Sequence, residues 1–264
     1  MSENLRQKST RCILGALPMV LMISLRMMAA DHKDSKAVEI AKTMEAAMGG
    51  VNMWQQAHFI RYDFIVRQGS KTLLDRSHLW DKQTGRYRLE EKTRDGKPEV
   101  VLFNINTKEG SAYIEGKKAE GVEAEKAVTD AYAAFVNDSW WLDMPWGWLN
   151  DGVNLKYLGL KKRGHETDDV VELTFNHVGL TPGDMYHAFV SRDSHLMTHW
   201  DYVLQSHQKG SWDWEYTESN GIKLASNHRS ADGKMTINMG NVSVLNSVDE
   251  DFFTNPSHTL SQFK

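Results

Sequence analysis

Eleven histidines in 264 residues invite metal or acid–base chemistry, and three stretches could carry it. His195 and His199 are four apart, a spacing that shares one face of a helix. They fall instead around "MTHWDYVLQ", which alternates as a strand after a Ser-Arg-Asp-Ser turn, and four strand residues span ~13 Å, too far for one metal ion. "GHETDD" gathers His165, Glu166, Asp168 and Asp169 between two strand-like runs, where a solvated turn accounts for them. "DYVLQSHQKGSWDWEY" holds Asp201, His207, Asp213 and Glu215, the best local set of acid–base types. Asp213 and Glu215 alternate with Trp212 and Trp214 and so face water. The chain has no G-x-S-x-G elbow, no phosphate-binding G-x-x-x-x-G-K-[ST], no H-E-x-x-H and no cysteine nucleophile. The reading is therefore not an enzyme, with no cofactor and no metal. A hydrolase built on an unrecognised carboxylate pair stays open as an alternative, because two acids can be brought together from distant strands.

Binding is better signalled than catalysis. "NDSWWLDMPWGWLND", residues 137–151, holds Trp140, Trp141, Trp146 and Trp148, four of the nine tryptophans, beside Leu142, Met144 and Leu149. The segment is too short to cross a bilayer, which takes ~20 apolar residues. Indoles in this number either fill the space between a sheet and a helix or close an apolar cavity as a lid. A third use, display to a protein partner, would leave them exposed.

The elements that must position these residues begin after residue 30. "MSENLRQKSTRCILGALPMVLMISLRMMAADHKDS" sets Arg6, Lys8 and Arg11 ahead of an apolar run from Cys12 to Leu25, then Met-Met-Ala-Ala. That order is the charged region, apolar region and small-residue exit of a secretory signal peptide, cut after Ala30, with a retained membrane anchor as the competing reading. Its four cations against Glu3 give it a net +3, so the remaining 234 residues carry −7 against −4 for the whole chain. No basic surface points to nucleic acid. Cys12, the single cysteine, leaves with the peptide, so the exported domain stands on its core without disulfides.

"DSKAVEIAKTMEAAMGG" predicts an amphipathic helix, with Asp34 or Ser35 as N-cap, apolar Val38, Ala41, Met44, Ala47 and Met48, and Gly49-Gly50 as its stop. From residue 58 the period becomes two: Ile60, Tyr62, Phe64 and Val66 alternate with Arg61, Asp63 and Arg67. Turn signals at Gly69, Gly85, Gly96, Gly110 and Gly116 follow, and describe a meander of about five strands to residue 115. "AEGVEAEKAVTDAYAAFVNDSWW" then places Ala124, Ala127, Val128, Ala131, Ala134 and Phe135 on one helical face, running into the tryptophan cluster until Pro145 and Gly147 stop it. Strand alternation returns at "NLKYLGL" and continues through Val171, Leu173 and Phe175, then Trp200, Tyr202 and Leu204, then Trp212, Trp214 and Tyr216. The predicted fold is mainly β (α+β): one curled antiparallel sheet, an open half-barrel of about ten or eleven strands, with two helical segments covering its concave face. Residues 31–264 form a single domain, expected as a monomer.

Residues 78–121, "HLWDKQTGRYRLEEKTRDGKPEVVLFNINTKEGSAYIEGKKAEG", resemble the periplasmic lipoprotein carrier LolA and its outer-membrane receptor LolB. In those families a strand with apolar-Trp-x-Lys, here Leu79, Trp80 and Lys82, leads through a turn to an aromatic-rich strand, here Tyr87 and Leu89, and then to Val101–Ile105. The order of helix, meander, lid helices and second meander is similar to that superfamily as well. A closer likeness is to uncharacterised secreted bacterial proteins that share "GLTPGD", residues 179–184, and the Trp cluster around "DMPW". One departure is chemical: LolA proteins read Lys-Arg-Pro after the tryptophan, with the arginine latching the lid, whereas this chain reads Lys82-Gln83-Thr84. The resemblance thus implies a cavity for an acyl chain or similar apolar ligand, not lipoprotein transfer itself. Phe64, Tyr87, Phe103, Phe175 and Trp200 would build its wall with Trp80; Phe135, Trp140, Trp141, Trp146 and Trp148 would form the lid. The implied setting is a periplasm or outer membrane, with a membrane or a lipoprotein as candidate partner.

Overall fold

The computed structural model describes residues 31–263. The expected signal peptide, residues 1–30, lies outside the described residues.

Helix α1 (Ser35–Ala47) and the short α2 (Val51–Gln56) precede six strands: β1 (Phe59–Gln68), β2 (Lys71–Asp81), β3 (Arg86–Lys92), β4 (Pro98–Asn104), β5 (Gly110–Ile114) and β6 (Lys117–Lys118). Helix α3 (Gly121–Asp143) runs into a 3₁₀ turn (Met144–Gly147). Strands β7 (Val153–Arg163), β8 (Glu166–Phe175), β9 (Met185–Ser191) and β10 (Met197–Val203) follow, then β11 (Lys209–Ser219), β12 (Ile222–Ser230) and β13 (Met235–Leu245). Helix α4 (Asp251–Thr254) and a last 3₁₀ turn (Leu260–Gln262) end the described chain.

All thirteen strands belong to one open antiparallel sheet, ordered β6-β5-β4-β3-β2-β1-β13-β12-β11-β10-β9-β8-β7. The count exceeds ten or eleven because β6 is two residues long and β9 and β12 carry weaker alternation. Every strand lies beside its neighbours in sequence, with two exceptions that define the shape. Strands β1 and β13 pair with each other, Ile60 opposite Val244 and Phe64 opposite Met239. Strands β6 and β7 lie at opposite edges, so α3 must carry the chain across the whole face. Its 23 residues reach about 34 Å at a rise of ~1.5 Å each.

The concave row follows from the registers. Ile60 opposes Trp80, Tyr62 opposes His78, and Tyr87 opposes both Trp80 and Phe103. On the other side Trp214 opposes His228, Trp200 opposes Trp212, and Tyr186 opposes Leu173 and Tyr202. The N-terminal half of α3 packs Ala127, Val128, Ala131 and Ala134 on Leu89, Val101, Phe103 and Ala112. Small side chains let the helix come close there. Helix α1 buries Ala37, Ile40, Ala41 and Met44, with Met48 just beyond it, leaving Val38 and Ala47 at the margin of its buried face. Asp34 sits at its N-cap position but caps nothing: its carboxylate accepts the Tyr157 backbone N–H at 2.9 Å, tying the helix start to β7.

A buried polar chain bolts α3 to the sheet. Tyr62 and Tyr87 hydroxyls lie 2.9 Å apart, Tyr87 Oη is 2.9 Å from His78 Nδ1, and His78 Nε2 is 3.2 Å from Asp138 Oδ2. Arg76 donates to Asp138 at 3.2 Å and to Glu91 at 2.9 Å. Burial holds His78 below its ordinary pKa, and its two ring nitrogens face the Tyr87 hydroxyl and the Asp138 carboxylate.

The convex face departs from the half-buried reading of β1. Arg61 and Asp63 alternate outward as predicted, yet both are buried, as is Arg88. Arg61 and Asp63 pair with each other, and Asp63 accepts from Ser77 and Asn241. The C-terminal segment covers Arg88, packing Phe253 and Leu260 on Phe59 and Leu79. Arg88 donates to the carbonyls of Phe252 and Asn255, each at 3.0 Å, and to that of His258.

Asp138→Ala would leave His78 buried without its carboxylate partner and Arg76 with Glu91 alone. A loss of about 3–5 kcal/mol is expected, read as a lower urea midpoint at unchanged slope. A loss under about 1 kcal/mol would mean that apolar packing alone holds α3.

Candidate functional site

Two cavities open between the concave face and the C-terminal end of α3. The smaller, about 550 Å³, has aromatic walls from Trp140, Trp141, Phe175, Tyr186, Trp200 and Tyr202. These rings meet mostly edge to face: Trp140 with Phe175 at 5.6 Å and Trp141 with Trp200 at 4.7 Å between centroids. That arrangement sets positive ring edges on negative ring faces and keeps each indole in place. Gly179, Leu180, Thr181 and Asp184 of "GLTPGD" line its mouth.

The larger cavity, about 1230 Å³, lies on the other side of Trp140. Trp54 and Trp146 stack there at 5.1 Å and 12°, with Trp80 and Met144 beside them. Its floor is charged. Lys82 Nζ donates to the Trp54 carbonyl at 3.0 Å and sits 4.5 Å above that ring. Asp143 lines the same cavity, and burial pushes its carboxyl up to about 7, with Lys82 pulling the other way. Lys42 and Glu45 of α1 line the opposite wall, and burial raises Glu45 as well.

Of the eleven residues expected at the site, six line these cavities: Trp80, Trp140, Trp141, Trp146, Phe175 and Trp200. The other five line neither. Phe64 is buried in the core around β1, and Tyr87 in the polar chain under α3. Phe103 packs beneath the alanines of α3, and Phe135 wedges between Trp80 and Tyr87. Trp148 is fully buried, its Nε1–H 2.8 Å from Met144 Sδ. None of the four clustered tryptophans is exposed, as display to a protein partner would need. Trp54, Tyr186, Lys82 and Asp143 were not predicted as site residues. Tyr186 was readable from period two in "MYHAFV"; Trp54 lies in a six-residue helix without a periodic signal.

The acid–base candidates sit elsewhere. His195 lies in a turn with positive φ, away from the strand that carries His199. On the convex side His199 Nδ1 is 2.8 Å from Asp213, and its Nε2 is 3.2 Å from Asp201 and 3.1 Å from Ser211 Oγ. The set has the outline of a Ser-His-Asp triad. Each ring nitrogen, however, already faces a carboxylate, so the ring is engaged across the two strands on both sides. The ring ties β10 to β11.

No family model matches this sequence, and no curated protein does. Among solved structures the chain is similar to a LolA superfamily protein from Nitrosomonas europaea, at 10% identity and a TM-score of 0.47, over 82% of this chain and 96% of that one. It is similar to a DUF1329 family protein from Desulfovibrio piger, at 10% identity and a TM-score of 0.46, with the same coverage. A putative outer membrane lipoprotein-sorting protein domain from Vibrio parahaemolyticus follows, at 10% identity and a TM-score of 0.42, over 83% and 97%. The superfamily that residues 78–121 resemble is thus present among them.

His228 lies against Trp141 and Trp214, with centroids 5.1 and 4.4 Å away, and burial pushes its pKa from 6.5 down to about 3. Below pH 6.5 the unfolded chain takes up a proton that the folded chain refuses, so stability falls as pH drops toward 3. The loss from His228 is about 2 kcal/mol between pH 6.5 and 5. Asp143, pushed up to about 7, works in the opposite sense over the same range, because its folded carboxyl takes up a proton that the unfolded chain does not. The His228 contribution is therefore read as a difference: in urea titrations at stepped pH, His228→Leu should gain about 2 kcal/mol on the unaltered protein as pH falls from 6.5 to 5. Identical slopes in the two proteins would show that the ring titrates normally.

Proposed function

We propose that this chain is an exported, single-domain, monomeric half-barrel that holds a hydrophobic or lipid-like ligand without covalent chemistry. The ligand lies between the concave sheet and the end of α3, in a periplasm or at an outer membrane, and is taken from or given to a membrane or lipoprotein partner.

One observation carries this reading. Eight large apolar residues are exposed among the described residues, and four of them, Val51, Met53, Val178 and Leu180, line the two cavities. Apolar residues at the mouth of an aromatic-walled cavity are what a ligand leaving a lipid surface needs, because it then crosses little water. The walls supply apolar area, and each buried CH₂ of a chain contributes roughly 0.8 kcal/mol. Trp80, Trp140, Trp141, Trp146, Phe175 and Trp200 are the contact residues of this reading.

Trp141→Ala tests the wall poorly alone, since Trp141 also packs on Trp200, Trp212 and His228; its loss costs about 3–5 kcal/mol of stability. Leu180→Glu and Met53→Glu at the rim should leave the melting temperature within experimental error and weaken uptake of a fluorescent fatty acid severalfold. Native mass spectrometry of protein purified from its host should carry a mass released by organic extraction. An apo mass together with no probe uptake by the unaltered protein would overturn the reading.

A further inference from the structure

The two cavities share a wall made of Trp140, Gly147 and Asn150, but they differ in character. The smaller is lined mainly by rings and aliphatic side chains, with Asp151, Thr181, Asp184 and Ser206 among its polar residues. The larger has an ammonium and a carboxyl on its floor. We propose that a single ligand uses both: an anionic head, a carboxylate or sulfonate in type, held by Lys82 and Asp143 in the larger cavity, with its alkyl chain passing Trp140 into the smaller one. This assignment rests on the apolar-ligand reading above and names the class of that ligand as a single-chain anionic amphiphile.

Lys82 is placed in advance. Its stem lies along Trp54, one N–H is spent on the Trp54 carbonyl, and two remain for a ligand. Asp143 ends α3 in the same cavity, and no other side chain among the described residues supplies a hydrogen bond to its carboxyl. Protonated, it adds an O–H donor beside the ammonium, and the cavity presents Lys42 and Lys82 against Glu45 alone. That surface is net positive and rich in donors, which suits an anion. A cationic head would meet Lys82, and a bare alkyl chain would leave both groups unpartnered.

The groups that face Asp143 set its response to pH. Lys82 follows β2; the hydroxyls of Tyr62 on β1 and Tyr87 on β3 feel its charge, and both are held in the neutral form by burial. Lys42 and Glu45 face it across the cavity from α1. When Asp143 ionises, near pH 7, it loses its donor, repels an anionic head and draws Lys82 to itself. All three changes weaken anion binding as pH rises.

The test is calorimetric titration of the full domain with decanesulfonate, which stays ionised throughout, and with 1-decanol, which has the same chain and no charge. The sulfonate should bind more tightly than the alcohol at pH 6 and lose about tenfold at pH 8, while the alcohol is indifferent to pH. Lys82→Met should cost the sulfonate at least about tenfold and leave the alcohol unchanged. Asp143→Asn should retain the pH 6 affinity at pH 8, whereas Glu45→Gln should keep the pH dependence. Equal binding of the two probes, unaltered by Lys82→Met, would overturn the head site and leave the apolar reading standing. Binding of neither probe would overturn both.

Discussion

Asp138 is the point on which the molecule turns. A sheet whose two edges are joined by one helix keeps its concave face covered only while that helix stays down, and α3 has no strand partner to hold it. The Asp138 carboxylate, buried toward the C-terminal end of the helix, is met by Arg76 and His78 of β2, and through His78 by Tyr87 and Tyr62 of the two adjoining strands. A charge at zero exposure is tolerated only with this complement of partners, and removing one is costly because the others remain. In this chain the cation that pins the covering helix comes from a strand position, Arg76 of β2.

Where α3 meets the sheet through alanine, helix and strands approach closely and leave no space. Where it meets the sheet through tryptophan, the indoles brace one another and their neighbours mostly edge to face, and the cavities lie beside them. Trp140 separates the two compartments. The charged floor of the larger one follows from the end of the helix: Asp143 is its last residue and Pro145 stands in the turn beyond. The polar group therefore sits where the chain turns back toward β7.

The convex side repeats the principle with reversed polarity. Arg61 and Arg88 point outward by strand parity and would meet solvent on a bare sheet. The C-terminal segment covers Arg88 and offers it its own carbonyls, which satisfies the loop's acceptors and the guanidinium's donors together, while Arg61 is paired with Asp63. The same face carries His199 between Asp201 and Asp213, a cross-strand tie with the outline of a catalytic set. Around Phe59, Leu79 and Arg88 the sheet is thus buried on its convex side as well.

The sequence by itself determined everything that depends on neighbours along the chain. The helical faces of residues 35–47 and 121–143, the period-two rows, the five early turns, and the concentration of indoles around residue 140 are local patterns of apolar spacing and turn chemistry. They were enough to foresee an open, curled sheet covered by helices. Six of the eleven expected site residues line a cavity because apolar parity and concave parity coincide. Tertiary structure alone decided which of those inward residues meet space and which meet another side chain: Trp80 opens on a cavity, while Tyr87, directly opposite it, is sealed under Phe135. It also decided the pairing of β1 with β13, the burial of Arg61 and Arg88, and the placing of Lys82 and Asp143, 61 positions apart in the chain, on one cavity. The reason is physical: periodicity says which way a side chain points, but what it meets is set by long-range packing that no local window contains.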